Sequence, residues 1–358
     1  MTFSRKYLVT LTLFVLAVAV HLYSLDSERV EKGYGSDIFP NLAAFLRAGF
    51  GWAPFSIGDL LYASLVIYLL YRIIRIFRNK AKTGIRWPRI ILTSVNFLLL
   101  IYLLFNLMWG LNYNRPGILS RLNITETAYS EDDLMRLNSY LVDRVNVSKR
   151  EWIDVGQRYP SNSQLFKMVE EAFMKAAEKY NFLKYDHASI KPSVWSLAGN
   201  YLGFTGYYNP FTGEAQVNTT TPKFLHPYTA CHEVAHQIGF AKEMEANFAG
   251  ALAAMNSSEP LFRYSVYLDL FFYANRNLYA TDSSAANNFR KNLIRPVKED
   301  IDEWRLFRLK HRSFMEPVFR WAYGKFLEQN QQPQGIMAYD EVTSFIIAYY
   351  KKEGILSP

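Results

Sequence analysis

Long apolar runs separate the first third of the chain from the rest. They cover residues 7–25, 57–77 and 90–109. Each run is long enough to cross a hydrocarbon core of about 30 Å as an α-helix. A buried core helix is the alternative, but the basic flanks favour three transmembrane helices. The first run could also be a cleavable signal peptide, although its cleavage-like sequence Ala17-Val18-Ala19 lies inside the apolar run, where cleavage is not expected.

The positive charge of the chain is concentrated beside these runs. The formal net charge is +8, with Arg5 and Lys6 before the first run and seven basic residues without an acidic one at 72–89. This local pattern argues against a nucleic-acid partner and for orientation in a lipid bilayer. The positive-inside rule places both clusters in the cytoplasm. We therefore predict a multi-pass protein of the inner (plasma) membrane with a cytoplasmic N-terminus, whose C-terminal domain is extracytoplasmic, and periplasmic if the cell is Gram-negative.

The sequence divides at the end of the third run. Residues 1–110 predict a membrane anchor, and residues 111–358 predict an outer domain. Between them, residues 110–118 (GLNYNRPGI) contain Gly, Asn and Pro, and indicate a turn or linker that leaves the membrane. The single cysteine, Cys231, excludes an intramolecular disulfide.

The outer domain has the pattern of a mainly α structure with a small β-sheet. Ser130 precedes an acidic, amphipathic stretch and predicts a helix start, and a second helix is predicted over 163–182. Two short β-like runs, 201–208 and 214–219, flank the turn sequence NPFTGE and predict a hairpin. From residue 228 the chain is predicted to be helical, with breaks near Gly239, 257–260, 281–284 and 331–335.

The sequence HEVAH at 232–236 is the strongest chemical signal. On a helix, His232 and His236 share one face, so that both imidazoles can reach one metal ion, and Glu233 can point toward a water bound to it. Neutral imidazoles suit Zn²⁺, and a neighbouring carboxylate can act as general base. The alternative is a helix whose histidines are only hydrogen-bonded.

A catalytic zinc site needs a third protein ligand. Glu243 would lie about 10 Å further along an unbroken helix, which is too far. Gly239 can end the helix and let the chain turn back, which brings Glu243 within reach. Glu245 is the rival ligand, but it points about 160° away from Glu243 on a helix, so we favour Glu243.

These motifs resemble those of known zinc peptidases. Glu243 and Asn247 are similar in spacing to the third ligand and its supporting residue in the thermolysin-like gluzincins, and Gly250 with nearby alanines would let the two helices pack closely. The three spans, WGLNYNRP and CHEVAHQIGFAKEMEANF together resemble a family of bacterial three-span membrane proteins. The resemblance covers most of the chain and implies a zincin-like α+β domain with Zn²⁺ as cofactor.

The predicted function is zinc-dependent hydrolysis of peptide bonds outside the cytoplasm. Glu233 would act as general base, and a peptide or protein substrate would bind along the strand at 213–222. Weak candidates for stabilising the oxyanion are His311, Arg312 and Tyr339. The alternative is a zinc-binding but non-hydrolytic membrane-anchored scaffold or sensor, which would have no chemical need for Glu233. The polar flanks of HEVAH argue against proteolysis within the bilayer.

Overall fold

Helices dominate the chain, as the sequence pattern predicts, and a small sheet accompanies them. The computed structural model describes residues 3–83, 87–125, 128–333, 335 and 342–356. The α-helices of this part are α1 (Phe3–Ser24), α2 (Ser27–Val30), α3 (Phe39–Phe50), α4 (Ile57–Thr83), α5 (Trp87–Met108), α6 (Ile118–Arg121), α7 (Glu131–Asp154), α8 (Asn162–Lys179), α9 (Ser196–Leu202), α10 (His226–Gln237), α11 (Glu243–Asn256), α12 (Pro260–Thr281), α13 (Ser283–Lys291), α14 (Arg295–Lys310), α15 (Met315–Gln329) and α16 (Val342–Lys352). A π-helix (Glu31–Ile38) and 3₁₀ turns (Gly110–Asn114, Asn181–Leu183, Lys223–Leu225) complete the helical elements.

Helices α1, α4 and α5 match the three predicted spans. Their apolar windows are Tyr7–Ser24, Ile57–Arg78 and Trp87–Met108, and none of these windows is buried within the protein. Apolar surface of this length and exposure suggests a membrane protein. The end of α1, the start of α4 and the end of α5 adjoin the rest of the folded chain, which we call the domain.

The helix boundaries follow local sequence signals. Ser130 caps α7 in a capping box, because its side chain accepts a hydrogen bond from the amide of Asp133 while Asp133 accepts one from the amide of Ser130. The predicted break near Gly239 falls between α10 and α11, and the breaks near 257–260 and 281–284 separate α11, α12 and α13. Two further breaks, after α13 and after α14, were not predicted from the sequence.

The α1–α4 connection and the segment after α5 belong to the folded core. Of the two alternatives predicted for 110–118, a turn or a linker, the structure has a turn. Gly110–Asn114 forms a buried 3₁₀ turn. Its apolar side chains fill the space between the α1–α4 connection and the loop after α10, in a cluster made of Val30, Tyr34, Phe39, Ala43, Trp109, Leu111, Tyr113 and Ala241. The division into residues 1–110 and 111–358 stays a prediction, although the α1–α4 connection contacts the second part directly.

The sheet has the strand order β1-β3-β2, with β1 (Ile190–Pro192), β2 (Gly206–Asn209) and β3 (Glu214–Val217). The predicted hairpin is confirmed, since β2 and β3 pair antiparallel, but its first strand begins at Gly206 and not at residue 201, which belongs to α9. Strand β1 adds a parallel strand that was not predicted. Strand β3 is therefore central. Its two edges are occupied by β1 and β2, so the predicted addition of a substrate along 213–222 is wrong.

One face of the sheet fastens the start of α4 to the domain. The buried carboxylate of Glu214 accepts hydrogen bonds from the amides of Ile57 (3.0 Å) and Gly58 (2.6 Å). Asp59, in the same first turn, accepts a hydrogen bond from the amide of Val194 (2.7 Å) and another from the hydroxyl of Tyr207. Carboxylates at the N-terminal end of a helix accept hydrogen bonds from the first amides, which have no partner within the helix.

Candidate metal centre

A glycine turn joins the two helices that carry the candidate ligands. Helix α10 ends at Gln237, and Gly239 follows in the left-handed conformation with φ +104°. The turn is closed by hydrogen bonds from the Gly239 amide to His236 O (2.9 Å) and from the Phe240 amide to Ala235 O (3.1 Å). The amide of Glu243, the first residue of α11, donates to Oε1 of Gln332 (2.8 Å). The predicted turn at Gly239 is confirmed.

Small residues allow α11 to approach α10 closely. A Cβ atom on Gly250 would lie 2.9 Å from the backbone nitrogen of His232 and 3.0 Å from the carbonyl carbon of Cys231. Ala246, Ala249 and Ala253 on the same helix are fully buried. The close packing predicted from these residues is confirmed, and it brings Glu243 to the histidines.

Three potential ligand atoms converge at this point. The Nε2 atoms of His232 and His236 are 3.2 Å apart, and Oε2 of Glu243 lies 3.3 Å and 3.5 Å from them, respectively. Ligands at about 2.0–2.1 Å from a tetrahedral Zn²⁺ would be separated by about 3.3–3.4 Å. The separations therefore fit a metal ion between the three side chains.

The hydrogen bonding of the ligand atoms also fits a cation. Within the described part of the chain, Oε2 of Glu243 is buried and has no hydrogen-bond partner. Two histidine nitrogens that face each other cannot both donate, and a cation would satisfy both lone pairs. Nδ1 of His236 lies 2.7 Å from the carbonyl oxygen of Phe240, an arrangement that holds the Nδ1 proton and leaves Nε2 free to bind a metal.

The ionisation of the three side chains is mutually coupled. Burial lowers the pKa of His232 below its usual value. Burial also opposes the charge on His236, but the carboxylates of Glu243 and Glu233 outweigh it and raise its pKa. The same contacts hold the pKa of Glu243 well below its usual value despite burial. A deprotonated carboxylate beside a neutral His232 is a donor set that suits a divalent cation.

The two rival glutamates lie in different surroundings. Oε1 of Glu245 is 3.5 Å from Nζ of Lys242, on the side of α11 that faces Arg115 and Arg121. The structure thus brings Glu243 to the histidines and pairs Glu245 with a cation. Asn247 interacts electrostatically with His232, although neither Nδ1 of His232 nor Nδ2 of Asn247 has a hydrogen-bond partner of good geometry among the described residues.

Glu233 lies beside the three converging side chains. One of its carboxylate oxygens and one ring nitrogen each of His232 and His236 lie within 4.8 Å of one another. Its Oε2 is buried without a hydrogen-bond partner among the described residues, and burial raises its pKa to about 8. Strand β2 passes directly over it. A Cβ atom on Gly206 would lie 2.5 Å from Oε1 of Glu233 and 2.9 Å from the carbonyl oxygen of Gln216.

For the zinc-dependent hydrolysis predicted from the sequence, Gly206→Ala should lower the rate while leaving the predicted zinc binding intact. The added methyl group would displace the Glu233 carboxylate, and an ångström of displacement at a reacting group costs about 100-fold in rate. Peptide hydrolysis and zinc content per chain measure the two effects. Gly49→Ala is the matched control, because nothing lies within 4 Å of a Cβ atom there. Full activity of Gly206→Ala would show that hydrolysis does not depend on the present position of the Glu233 carboxylate.

Several contacts to the site could not be read from the sequence. The hydroxyl of Tyr323, on α15, donates a hydrogen bond to Oε1 of Glu243. Nε1 of Trp109 donates to the carbonyl oxygen of His236 (3.3 Å). Tyr113 is buried near Glu243, and its pKa is raised first by burial and then by that carboxylate. These aromatic residues lie far from the motif in sequence and belong to no recognisable pattern.

The three predicted oxyanion candidates have different outcomes. Nδ1 of His311 lies 2.8 Å from the carbonyl oxygen of Phe307, and its ring packs on Tyr201. Arg312 is exposed and lines an open cleft of about 990 Å³ between α12, α14 and α15. Tyr339 lies outside the described residues. His311 thus contacts α9, and Arg312 lines this cleft. Tyr323, in contrast, contacts the candidate ligand Glu243.

Three apolar helices and a largely buried group of two histidines and glutamates define the class, a membrane protein with a candidate metal centre. The family described as "Protein of unknown function (DUF3810)" matches residues 34–347, and the chain belongs to this family. The match includes α4, α5 and all the candidate site residues in HEVAH and α11. No curated protein and no solved structure matches the chain significantly.

Proposed function

We propose that the protein is a membrane-anchored zinc peptidase. The observation that carries this proposal is the convergence of two Nε2 atoms and one carboxylate oxygen, on His232, His236 and Glu243, at separations suited to Zn²⁺. The buried carboxylate of Glu233 beside them adds a group that a purely structural metal site would not require. The resemblance of the motif to gluzincins supports the same reading.

Each side chain has a distinct role in this proposal. A bound Zn²⁺ would supply a Lewis acid that polarises the scissile carbonyl and lowers the pKa of the attacking water. Glu233 would accept the proton of the attacking water and pass it to the leaving amine; without a metal, burial raises the pKa of its carboxyl to about 8. Tyr323 holds Glu243 through its hydroxyl and is a positioning residue.

The outer edge of β2, which pairs with no further strand in the described part of the chain, replaces β3 as the proposed place for an extended peptide. The amide of Asn218 donates to Thr205 O (2.8 Å), and that of Gly213 donates to Asn209 O (2.9 Å). Because pairing alternates in an antiparallel ladder, the backbone groups of Gly206 and Tyr208 point away from β3. A peptide added at this edge would pass Glu233, which lies against Gly206.

The domain is proposed to lie on the extracytoplasmic side, because the basic loop between α4 and α5 is at the opposite ends of these helices. Protease added to intact spheroplasts should therefore cut the domain. Protection of the domain until the membrane is broken would reverse this orientation.

Removal and return of the metal test the proposed activity. The full chain, purified in detergent and loaded with zinc, should cleave members of a diverse quenched-fluorescence peptide library. Cleavage should be lost after treatment with a chelator and return on addition of Zn²⁺. Cleavage that persists without metal would contradict the mechanism. Stoichiometric zinc without cleavage of any peptide would favour the scaffold or sensor instead.

A further inference from the structure

Large apolar side chains form two exposed stripes on the domain, at helical spacing. The α9 stripe consists of Val194, Leu197 and Tyr201, and the α15 stripe consists of Phe314, Val318 and Trp321. Leu197 is 69% exposed, Phe314 82% and Trp321 68%. Single exposed apolar residues are ordinary on protein surfaces, but stripes that contain Trp and Phe mark an interaction surface.

The α9 stripe lies beside the start of α4, and helix α15 contacts the end of α5 through the end opposite to its stripe. The amide of Val194 donates to Oδ2 of Asp59 (2.7 Å), which is in the first turn of α4. The ring of Phe326, at the other end of α15, is 6.1 Å from the ring of Phe105 in the last turn of α5. Helices α9 and α15 thus adjoin the boundary at which α4 and α5 would leave a bilayer.

A direct contact joins the two stripes. The hydroxyl of Ser313 donates to the carbonyl oxygen of Tyr201 (2.5 Å), and the ring of Phe204 lies 5.8 Å from that of Phe319. The α1–α4 connection, which adjoins the same boundary, exposes Phe45 and Trp52 as well. Exposed aromatic residues therefore lie on three segments that adjoin the ends of the apolar helices: α9, α15 and the α1–α4 connection.

The charge next to the α15 stripe is positive. Between residues 305 and 320, the exposed basic side chains are Arg305, Arg308, Lys310, Arg312 and Arg320. Glu316 is the acidic residue between 305 and 320, and it lies 3.4 Å from Arg308 and 4.0 Å from Arg320. Arg305 also pairs with Asp302, one turn earlier on α14, at 3.0 Å. An apolar stripe with Trp and Phe beside basic residues is the composition of helices that lie in a membrane interface.

We propose that the α9 and α15 stripes insert into the lipid leaflet next to the domain, with the basic side chains on anionic headgroups. The domain is then held to the bilayer at its surface as well as through α1, α4 and α5. Trp109 follows α5 directly, and its Nε1 donates a hydrogen bond to the carbonyl oxygen of His236. Insertion of the two stripes therefore keeps the candidate metal centre close to the membrane. The contact with lipid does not depend on the proposed catalytic activity.

Lipid-borne quenchers test this contact in the full chain. Cysteine is introduced singly at Leu197, Val318 or Trp321 and labelled with a bimane dye. The exposed controls are single cysteines at Val155, directly after α7 (69% exposed), and at Met174, on α8 (63% exposed). The native Cys231 is fully buried, and unmodified protein gives its background labelling. In vesicles of phosphatidylcholine and phosphatidylglycerol with nitroxides on the acyl chains, the stripe labels should lose fluorescence and shift to shorter wavelength, and the control labels should not.

Each outcome of this experiment decides the proposal. Stripe labels that remain as water-exposed as those at Val155 and Met174 would overturn it. Quenching by labels on a neighbouring chain, or disulfide-linked dimers of the unlabelled Trp321→Cys protein, would assign the surface to a second copy instead. Quenching should weaken in phosphatidylcholine alone, and equal quenching would overturn the role of the basic residues. The measurement requires neither bound metal nor hydrolysis, so its failure is distinct from failure of the proposed function.

Discussion

Glu243→Ala should lower the zinc affinity of the protein by more than about 100-fold, since even the loss of an outer partner of a ligand costs 10–100-fold. Oε2 of Glu243 is the carboxylate atom that lies 3.3 Å and 3.5 Å from the histidine nitrogens. The remaining histidines would bind the ion without the anionic ligand that balances its charge. Zinc per chain after equilibration with a competing chelator measures the effect.

Glu245→Ala is the matched control, because Glu245 is also a glutamate buried in the first turn of α11 but pairs with Lys242. We expect wild-type zinc content from this variant. Loss of zinc in Glu245→Ala with retention in Glu243→Ala would exchange the roles of the two glutamates. Equal loss in both, with a lowered melting temperature, would indicate damage to α11 instead of the loss of a ligand.

Glu233→Gln should retain zinc and lose peptide hydrolysis by a factor of about 10²–10⁴, the usual contribution of a general base. The amide has nearly the shape of the carboxylate, so the ligands keep their positions, but it cannot accept the proton. The kcat for a cleaved peptide and the zinc content should be measured on the same preparation.

Glu299→Gln provides the control for this change, since Glu299 is exposed and pairs with Arg295 on the surface. It should leave both quantities unchanged. Hydrolysis at the wild-type rate in Glu233→Gln would exclude Glu233 as the base. Loss of zinc in Glu233→Gln would mean that Glu233 itself helps to hold the ion.

The sequence was informative where a structural signal is local. Three apolar runs predicted α1, α4 and α5, and the capping pattern at Ser130 predicted the start of α7. Gly239 predicted the turn between α10 and α11, because a left-handed residue is required there. The motif HEVAH then predicted which side chains would share one face of α10. Each of these features depends on residues within a few turns of one another.

Features that depend on distant contacts could not be predicted. Strand β1 has three residues, too few for a periodic pattern, and its pairing with β3 makes β3 central. The contact between Tyr323 and Glu243 joins residues 80 positions apart in sequence. The 3₁₀ turn at Gly110–Asn114 carries turn-forming residues, but its burial is determined by the surrounding α1–α4 connection. The sequence around each of these residues does not show which distant residues will contact it in the fold.

The metal content of the intact chain tests the central claim most directly. The full-length protein, purified in detergent with zinc present and then dialysed, should retain one zinc ion per chain. X-ray absorption at the zinc edge should show only nitrogen and oxygen ligands at about 2.0–2.1 Å, two of them imidazoles. Absence of stoichiometric zinc, or a zinc signal that is unchanged by His236→Ala, would contradict a metal centre at His232, His236 and Glu243.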